Sequence, residues 1–258
     1  MNYANLIVEQ EDKVGIITLN RPPANPINAS VLDELDAVLT EWEKDKAVRA
    51  IIITGAGDKG FSAGFDLKTA GTPEGEKAVS RGQEVFSHIE KYPKPVIAAI
   101  NGYALGGGCE LAMSCHLRIM IDSERAVIGQ PEIDLGIIPG WGGTQRLPRL
   151  VGKTKALEML LLGTRISASE ALRIGLITRL SQPEQVIDDA KELARALAKK
   201  APIAVQVILD VVTRGLEVSI DQGLKIEREG SRRVEKTKDA MEGMTAFIQK
   251  REPVFTGE

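Results

Sequence analysis

The stretch Asn101-Gly-Tyr-Ala-Leu-Gly-Gly-Gly-Cys-Glu-Leu111 follows a short apolar run and opens into a helical pattern. Its three consecutive glycines, Gly106, Gly107 and Gly108, lack the β-carbons that would hold a bound group away from the backbone. A helix starting at these glycines has first-turn N–H groups with no intrahelical partner, and the macrodipole adds partial positive charge there. The combination suits an oxyanion. Glu110 stands three residues beyond Gly107, on the same helical face, so a carboxylate is offered beside the same bound group.

Upstream, Val96-Ile-Ala-Ala-Ile100 is a strand, divided by Tyr92-Pro-Lys-Pro95 from a helix that runs through Val79, Phe86 and Ile89. Residues 49–54 form a buried strand, and a glycine-rich loop leads from it to about Asp66. Ser30 is placed to cap a helix with Val31, Leu35, Val38, Leu39 and Trp42 on one face. Residues 6–8 and 14–19 make an opening hairpin. Downstream, residues 117–121 are a strand, the loop Gly136-Ile-Ile-Pro-Gly-Trp-Gly-Gly143 precedes a helix after Thr144, and residues 154–162 form another. Ser167-Ala-Ser-Glu170 is a capping box, Gly175 stops its short helix, and residues 177–180 are the last strand. Only helical patterns follow Pro183, with Pro202 suited to a first turn. Helices between strands predict an α/β fold of crossover units over residues 1–200 and a helical region over residues 201–258.

At 258 residues, 43% hydrophobic and 27% charged, the composition is that of an ordinary soluble domain. A net charge of −3 argues against a dedicated nucleic-acid binder. Cys109 and Cys115 are too few for a disulfide framework, and the first ten residues lack the basic flank and long apolar region of a secretory signal, so the expected location is the cytoplasm. No run approaches the roughly 18 apolar residues of a membrane span.

Three local patterns point elsewhere. Gly55-Ala-Gly-Asp-Lys-Gly60 matches a dinucleotide fingerprint, but no helix opens at it. Gly60-Phe-Ser-Ala-Gly64 matches a hydrolase elbow with Ser62 as nucleophile, yet the strand ends near Thr54 and only His88 and His116 could act as base. His88 reads as a solvated or dipole-facing residue near a helix end, and His116 as a satisfied structural one. Cys109, Cys115 and His116 match no zinc spacing, and no metal is expected.

Taken together, Asn20-Arg-Pro, Phe61-Ser-Ala-Gly-Phe-Asp-Leu67, the Asn101 stretch, Gly129-Gln-Pro-Glu132, Gly136-Ile-Ile-Pro-Gly-Trp-Gly-Gly-Thr-Gln-Arg-Leu147 and Glu242-Gly-Met-Thr-Ala-Phe247 resemble the enoyl-CoA hydratase/isomerase (crotonase) family over nearly the whole chain. The resemblance implies a spiral of repeated ββα turns with nearly perpendicular sheets, then C-terminal helices that build trimers, often paired into hexamers. It implies backbone N–H groups of Phe65 and Gly107 as an oxyanion hole for a thioester carbonyl. Ser62, Ala63, Gly64, Asp66, Leu67 and Lys68 would hold the CoA moiety, and Trp141 would either wall the acyl pocket or pack. Glu110 would orient and activate water, and Glu132 would supply a proton to C2. Coenzyme A would belong to the substrate, with no separate cofactor.

The implied activity is enoyl-CoA hydration, with double-bond isomerisation as the alternative and a non-catalytic RNA-binding relative behind it. Arg228, Arg232, Arg233, Lys236 and Lys238 are the basic residues such a relative would use, and a solvated helix accounts for them equally. Two features depart from the family pattern. Glu132 follows Glu110 by 22 residues, about two more than the family spacing, with the extra length expected in residues 120–125. Phe65 stands where many hydratases carry alanine, a change that leaves a backbone donor intact.

Overall fold

The computed structural model describes residues 3–258. The chain opens with strands β1 (Leu6–Glu11) and β2 (Val14–Leu19), an antiparallel hairpin whose turn residues Asp12 and Lys13 both have positive φ, 47° and 66°. That geometry matches the right-handed twist of the flanking strands. Helix α1 (Ala29–Lys44) is capped two residues earlier than its sequence suggests, because the Asn28 side chain accepts from the Val31 N–H at 3.0 Å. Ser30 instead accepts from the Asn5 amide at 3.0 Å.

Three passes then repeat one pattern: a long strand, a short strand and a helix. They are β3 (Ala50–Gly55), β4 (Gly60–Ser62) and α2 (Pro73–Glu90); β5 (Val96–Ile100), β6 (Tyr103–Leu105) and α3 (Gly107–Ser114); β7 (Leu117–Ile121), β8 (Val127–Gly129), a 3-10 turn (Glu132–Leu135) and α4 (Gly143–Val151). Helix α5 (Lys153–Leu162), β9 (Arg165–Ser167), α6 (Ala168–Arg173), β10 (Arg179–Ser181) and α7 (Val186–Ala198) complete the core. The long strands make a six-stranded sheet ordered β1-β2-β3-β5-β7-β10, and the short ones a four-stranded sheet ordered β4-β6-β8-β9. Beyond the opening hairpin, the large sheet is parallel throughout.

This is the expected spiral of ββα turns. Burial explains its stability: β3 is covered on both faces, and Ile51, Ile52 and Ile53 are fully buried. Each such side chain contributes about 1.5–3 kcal/mol on leaving water. Helix α1 packs Leu32, Leu35, Leu39 and Trp42 inward, and Gly15 makes room for the indole, since a β-carbon there would lie 2.3 Å from the ring. In α2 the buried face is Ala78, Val85, Phe86 and Ile89, whereas Val79 is exposed. Ser167 does cap α6, accepting from the Glu170 N–H at 3.3 Å, but Glu170 turns to Arg173 rather than back to the cap.

Helices α8 (Pro202–Gly215), α9 (Ile220–Val234) and α10 (Lys238–Gln249) follow. Helices α8 and α9 meet where Gly230 faces Val207 and Val211. Leu216, Ile220, Phe247 and Ile248 remain exposed to solvent in the single chain. Among the described residues no helix is long and apolar enough to cross a membrane.

Candidate active site

The small sheet brings three distant segments to one end. Strands β4, β6 and β8 are parallel neighbours, with Ser62 opposite Ala104 and Leu105 opposite Gly129. Their carboxyl ends therefore deliver, side by side, residues 63–66, the glycines at 106 and 107, and residues 130–132.

The first two segments present donors. Gly64, at φ 87°, gives its carbonyl to the Ile27 N–H at 2.7 Å, while the Asp66 N–H donates to the Ile27 carbonyl at 2.9 Å. The Phe65 N–H between them, like that of Gly107 at the start of α3, donates to no acceptor among the described residues. The two are close: a β-carbon on Gly107 would lie 3.2 Å from the Phe65 nitrogen, and one on Gly64 would lie 2.6 Å from the Gly107 nitrogen. Unpaired backbone donors this close call for a shared acceptor from outside the chain.

Residues hidden in the sequence hold this loop. Asn25, at φ 46° and buried, donates to the carbonyls of Ala56 and Gly60 at 2.9 and 3.0 Å. Its own carbonyl accepts the Ser62 hydroxyl at 2.7 Å, and that hydroxyl accepts from the Gly64 N–H at 3.0 Å. Asp66 caps the 3-10 turn Leu67–Thr69 and pairs with Arg21 at 2.9 Å. In the sequence this segment stands out only through the Asn20-Arg-Pro motif, which shows nothing of the role of Asn25.

Glu110, 2% exposed, lies one turn into α3. One carboxylate oxygen, Oε1, accepts from the Trp141 and Gly143 N–H groups, each at 2.7 Å. Gly142 at φ 111° lets those two N–H groups converge. The other oxygen, Oε2, has no hydrogen-bond partner among the described residues, so it can accept from water. Burial pushes the Glu110 pKa up from 4.5 to about 7, against the pull of the two N–H groups and of Arg146.

Glu132 opens the 3-10 turn after β8, half-buried, with its carboxylate against Gly106, where a β-carbon would lie 2.8 Å from Oε1. The fully buried Gln130 amide lies against both carboxylate oxygens and, with its nitrogen turned toward Glu132, donates to them at 3.0 and 3.1 Å. Burial, joined by the charge of Glu110, moves the Glu132 pKa up to about 7. The segment before it turns at a tip between β7 and β8, where the Ala126 N–H donates to the Ser123 carbonyl at 2.9 Å. Parallel pairing of β8 with β6, Leu105 opposite Gly129, sets Glu132 beside the glycines that follow β6.

Several sequence expectations change in detail. Ala63, Leu67 and Lys68 are exposed at the loop surface, whereas the side chains of Ser62 and Asp66 are turned inward and brace the loop from beneath. Of the two readings of Trp141, packing describes its buried indole: it meets Phe65 and Phe86 edge-on at 5.9 and 5.4 Å and donates to the Ala78 carbonyl at 3.1 Å. It forms the floor beneath Gly107, and its backbone N–H grips Glu110.

A short strand, β4, does run into Ser62, contrary to the reason given against the hydrolase elbow. The elbow fails instead because the Ser62 hydroxyl is buried and doubly bonded, and both histidines are engaged elsewhere. His88, rather than being solvated, pairs with Asp36 at 2.7 Å. His116 accepts the Val96 N–H at 3.0 Å, and burial together with Arg118 lowers its pKa to about 4. Residues 55–60 join β3 to β4 and open no helix. Among the described residues no group of three or more His, Cys, Asp or Glu could hold a metal ion.

A family model described as enoyl-CoA hydratase/isomerase matches residues 9–258. The chain belongs to the enoyl-CoA hydratase/isomerase family. Family relatives include a short-chain-enoyl-CoA hydratase of Clostridium acetobutylicum, 47% identical over 97% of both chains. A crotonyl-CoA hydratase of Syntrophomonas wolfei is 44% identical over 99% of both. Among solved structures of the family, the enoyl-CoA hydratase of Bacillus anthracis superimposes with a TM-score of 0.94 at 42% identity, covering 98% of this chain and all of that one (100%).

Proposed function

We propose that Glu110 and Glu132 share one water, and that the Phe65 and Gly107 N–H groups receive the thioester oxygen, as this enoyl-CoA hydratase works. The reaction adds water reversibly across the C2–C3 double bond of a trans-2-enoyl-CoA to give a 3-hydroxyacyl-CoA. The observation that carries the reading is the pairing of two unsatisfied N–H donors with two carboxyl groups whose pKa values both rise to about 7.

As the water oxygen bonds to C3, the π electrons move toward the thioester oxygen, where two preorganised donors stabilise the charge. One such donor is worth about 3–4 kcal/mol of barrier. Glu110, anchored through Oε1, uses its unpaired oxygen to orient the water and accept its proton. Glu132 holds a proton near neutral pH and delivers it to C2, so one proton is taken and one given. Coenzyme A enters as part of the substrate, against the exposed side of residues 63–68. The relatives' names favour a short acyl chain.

The helices of residues 201–258 complete the proposal. Apolar side chains of α9 and α10 left in water are suited to bury against other copies of the chain, in a trimer or a dimer of trimers. Their basic residues are partly engaged: Lys238 pairs with Glu258 at 2.6 Å, and Arg233 donates to Gln206 at 3.0 Å, which favours a structural role over nucleic-acid binding. A cytoplasmic location belongs to the same reading.

The test compares initial rates on 2-enoyl-CoA and 3-enoyl-CoA. A hydratase turns over the 2-enoyl thioester faster. Dominant double-bond migration on the 3-enoyl substrate, with poor hydration, overturns the reading in favour of an isomerase.

A further inference from the structure

The turn that holds Glu110 is itself held by an ion pair outside the reacting groups. Arg146 stands in the first turn of α4 and is 8% exposed. Its Nη1 donates to the Trp141 carbonyl at 2.8 Å, on the same residue whose N–H grips Glu110. Its Nε and Nη2 both donate to Glu90 Oε2, at 3.1 and 2.8 Å, in the last turn of α2. The guanidinium lies against the turn's backbone, for a β-carbon on Gly142 would sit 2.0 Å from Nη1. Helix α2 ties the same turn twice more, through Trp141 Nε1 to the Ala78 carbonyl and Gln83 Nε2 to the Gly140 carbonyl at 2.7 Å.

The charged and titratable groups around Glu110 come from several elements. Glu132 faces it from the 3-10 turn, and Cys109 adjoins it on α3, its thiol held neutral by burial, with Arg118 of β7 beyond. Arg146 faces it from α4, backed by Glu90 on α2. Arg146 is the cation that favours the charged form of the Glu110 carboxyl. Glu90 offsets part of that cation's field.

We propose that Arg146 and Glu90 act as a positioning pair, fixing the two N–H groups on Glu110 and setting how readily that carboxyl releases its proton. The proposal deepens the acid/base role given to Glu110 above and rests on it for its kinetic consequences. Removing the Arg146 charge leaves Glu110 holding its proton to higher pH. Removing the Glu90 charge leaves the Arg146 field unopposed, so Glu110 releases its proton at lower pH. The two substitutions therefore displace one titration in opposite directions, which loosening of the turn would not do.

The experiment follows Arg146→Gln, Arg146→Lys and Glu90→Gln in the full chain by two readouts. One is the pH dependence of kcat/KM on crotonyl-CoA. The other is the carboxyl 13C titration of labelled enzyme, with Glu110→Gln identifying the Glu110 resonance. Arg146→Gln is expected to lower kcat about tenfold or more, change KM less than about twofold, and move both midpoints up by roughly half a pH unit or more. Glu90→Gln moves them down. Arg146→Lys restores the midpoint but not the full kcat, because lysine cannot bridge Glu90 and the Trp141 carbonyl with a planar fork. Should Arg146→Gln fail to fold, Glu90→Gln and Arg146→Lys still decide. Midpoints that stay fixed, or shift in the same direction for Arg146→Gln and Glu90→Gln, overturn the proposal. Full activity of Glu110→Gln overturns the acid/base reading instead, and the carbon titration still judges the ion pair.

Discussion

Replacing Gly64 by alanine puts one methyl group where the proposed oxyanion hole has no room for it. The new β-carbon would lie 2.6 Å from the Gly107 nitrogen and 2.6 Å from the Leu105 carbonyl oxygen, both backbone atoms that cannot swing aside. Relief requires the 64–65 and 105–107 segments to separate by about half an ångström, while misplacement by about 1 Å can cost on the order of a hundredfold in rate. Loss of one hydrogen-bond donor costs roughly 10²–10³-fold in kcat. The left-handed φ of 87° adds about 1–2 kcal/mol of backbone strain for a residue with a side chain. Gly71 separates strain from site geometry, because its φ is 73° but a β-carbon there meets nothing within 4 Å. The assay is initial hydration of crotonyl-CoA, followed by loss of the enoyl-thioester absorbance, alongside thermal unfolding of each variant. Gly64→Ala should lower kcat about 10²–10³-fold, whereas Gly71→Ala should lose about 1–2 kcal/mol of stability and keep kcat within about twofold. A folded Gly64→Ala enzyme with near-parental kcat would refute the placement of the donors.

Glu110→Gln should trade activity for stability. Its carboxyl pKa is raised from 4.5 to about 7, so the native state binds the proton more tightly than the unfolded chain, and this contribution is full below pH 4.5 and lost as pH rises through about 7. At about 1.4 kcal/mol per pKa unit, burying the charge costs on the order of 3 kcal/mol above that window, so the variant should gain several degrees in Tm near pH 8 and little near pH 4. An equal gain at both pH values contradicts this. Ser62→Ala leaves the Asn25 carbonyl and the Gly64 N–H without their buried partner and should cost about 1–3 kcal/mol of stability, with kcat within about tenfold. Labelling of Ser62 by a serine-directed reagent in folded enzyme would contradict its bracing role. Phe247→Asp, at a side chain 85% exposed in the single chain, should shift the mass in solution toward the monomer without unfolding it. An unchanged mass removes α10 from the assembly interface.

The long elements were legible because their patterns repeat enough to be read. The heptad-like face of α1 and the β-branched run of β3 each carry several concordant residues. Strands β4, β6, β8 and β9, three residues each, offer no period, and a glycine-bearing segment such as Gly60–Ser62 looks like loop. Their existence depends on pairing with segments 24–43 residues away, which local propensity does not encode. The same limit divides the site. Glu110 and the glycines beside it are visible because adjacent residues supply donor and carboxylate together, and Glu132 because the resemblance supplies its motif. Asn25, Gln130, Arg146 and Glu90 act through hydrogen bonds that only the fold creates. A buried polar side chain in a break, or an arginine on a helix, carries no local mark of its partner. Trp141 shows the converse: its indole packs, and its contact with Glu110 runs through the backbone N–H, where side-chain identity says nothing.

The central claim is that Glu110 and Glu132 work on one water, and the hydration rate of the Glu110→Gln/Glu132→Gln double variant, set against both single variants, tests it most directly. Each single change should slow crotonyl-CoA hydration by about 10²-fold or more in a folded enzyme, the range of a positioned acid or base. Groups that act as a unit are not additive, so the double variant should fall far less than the product of the two losses. Near-normal hydration by either single variant, or a double loss equal to the product, would contradict the account.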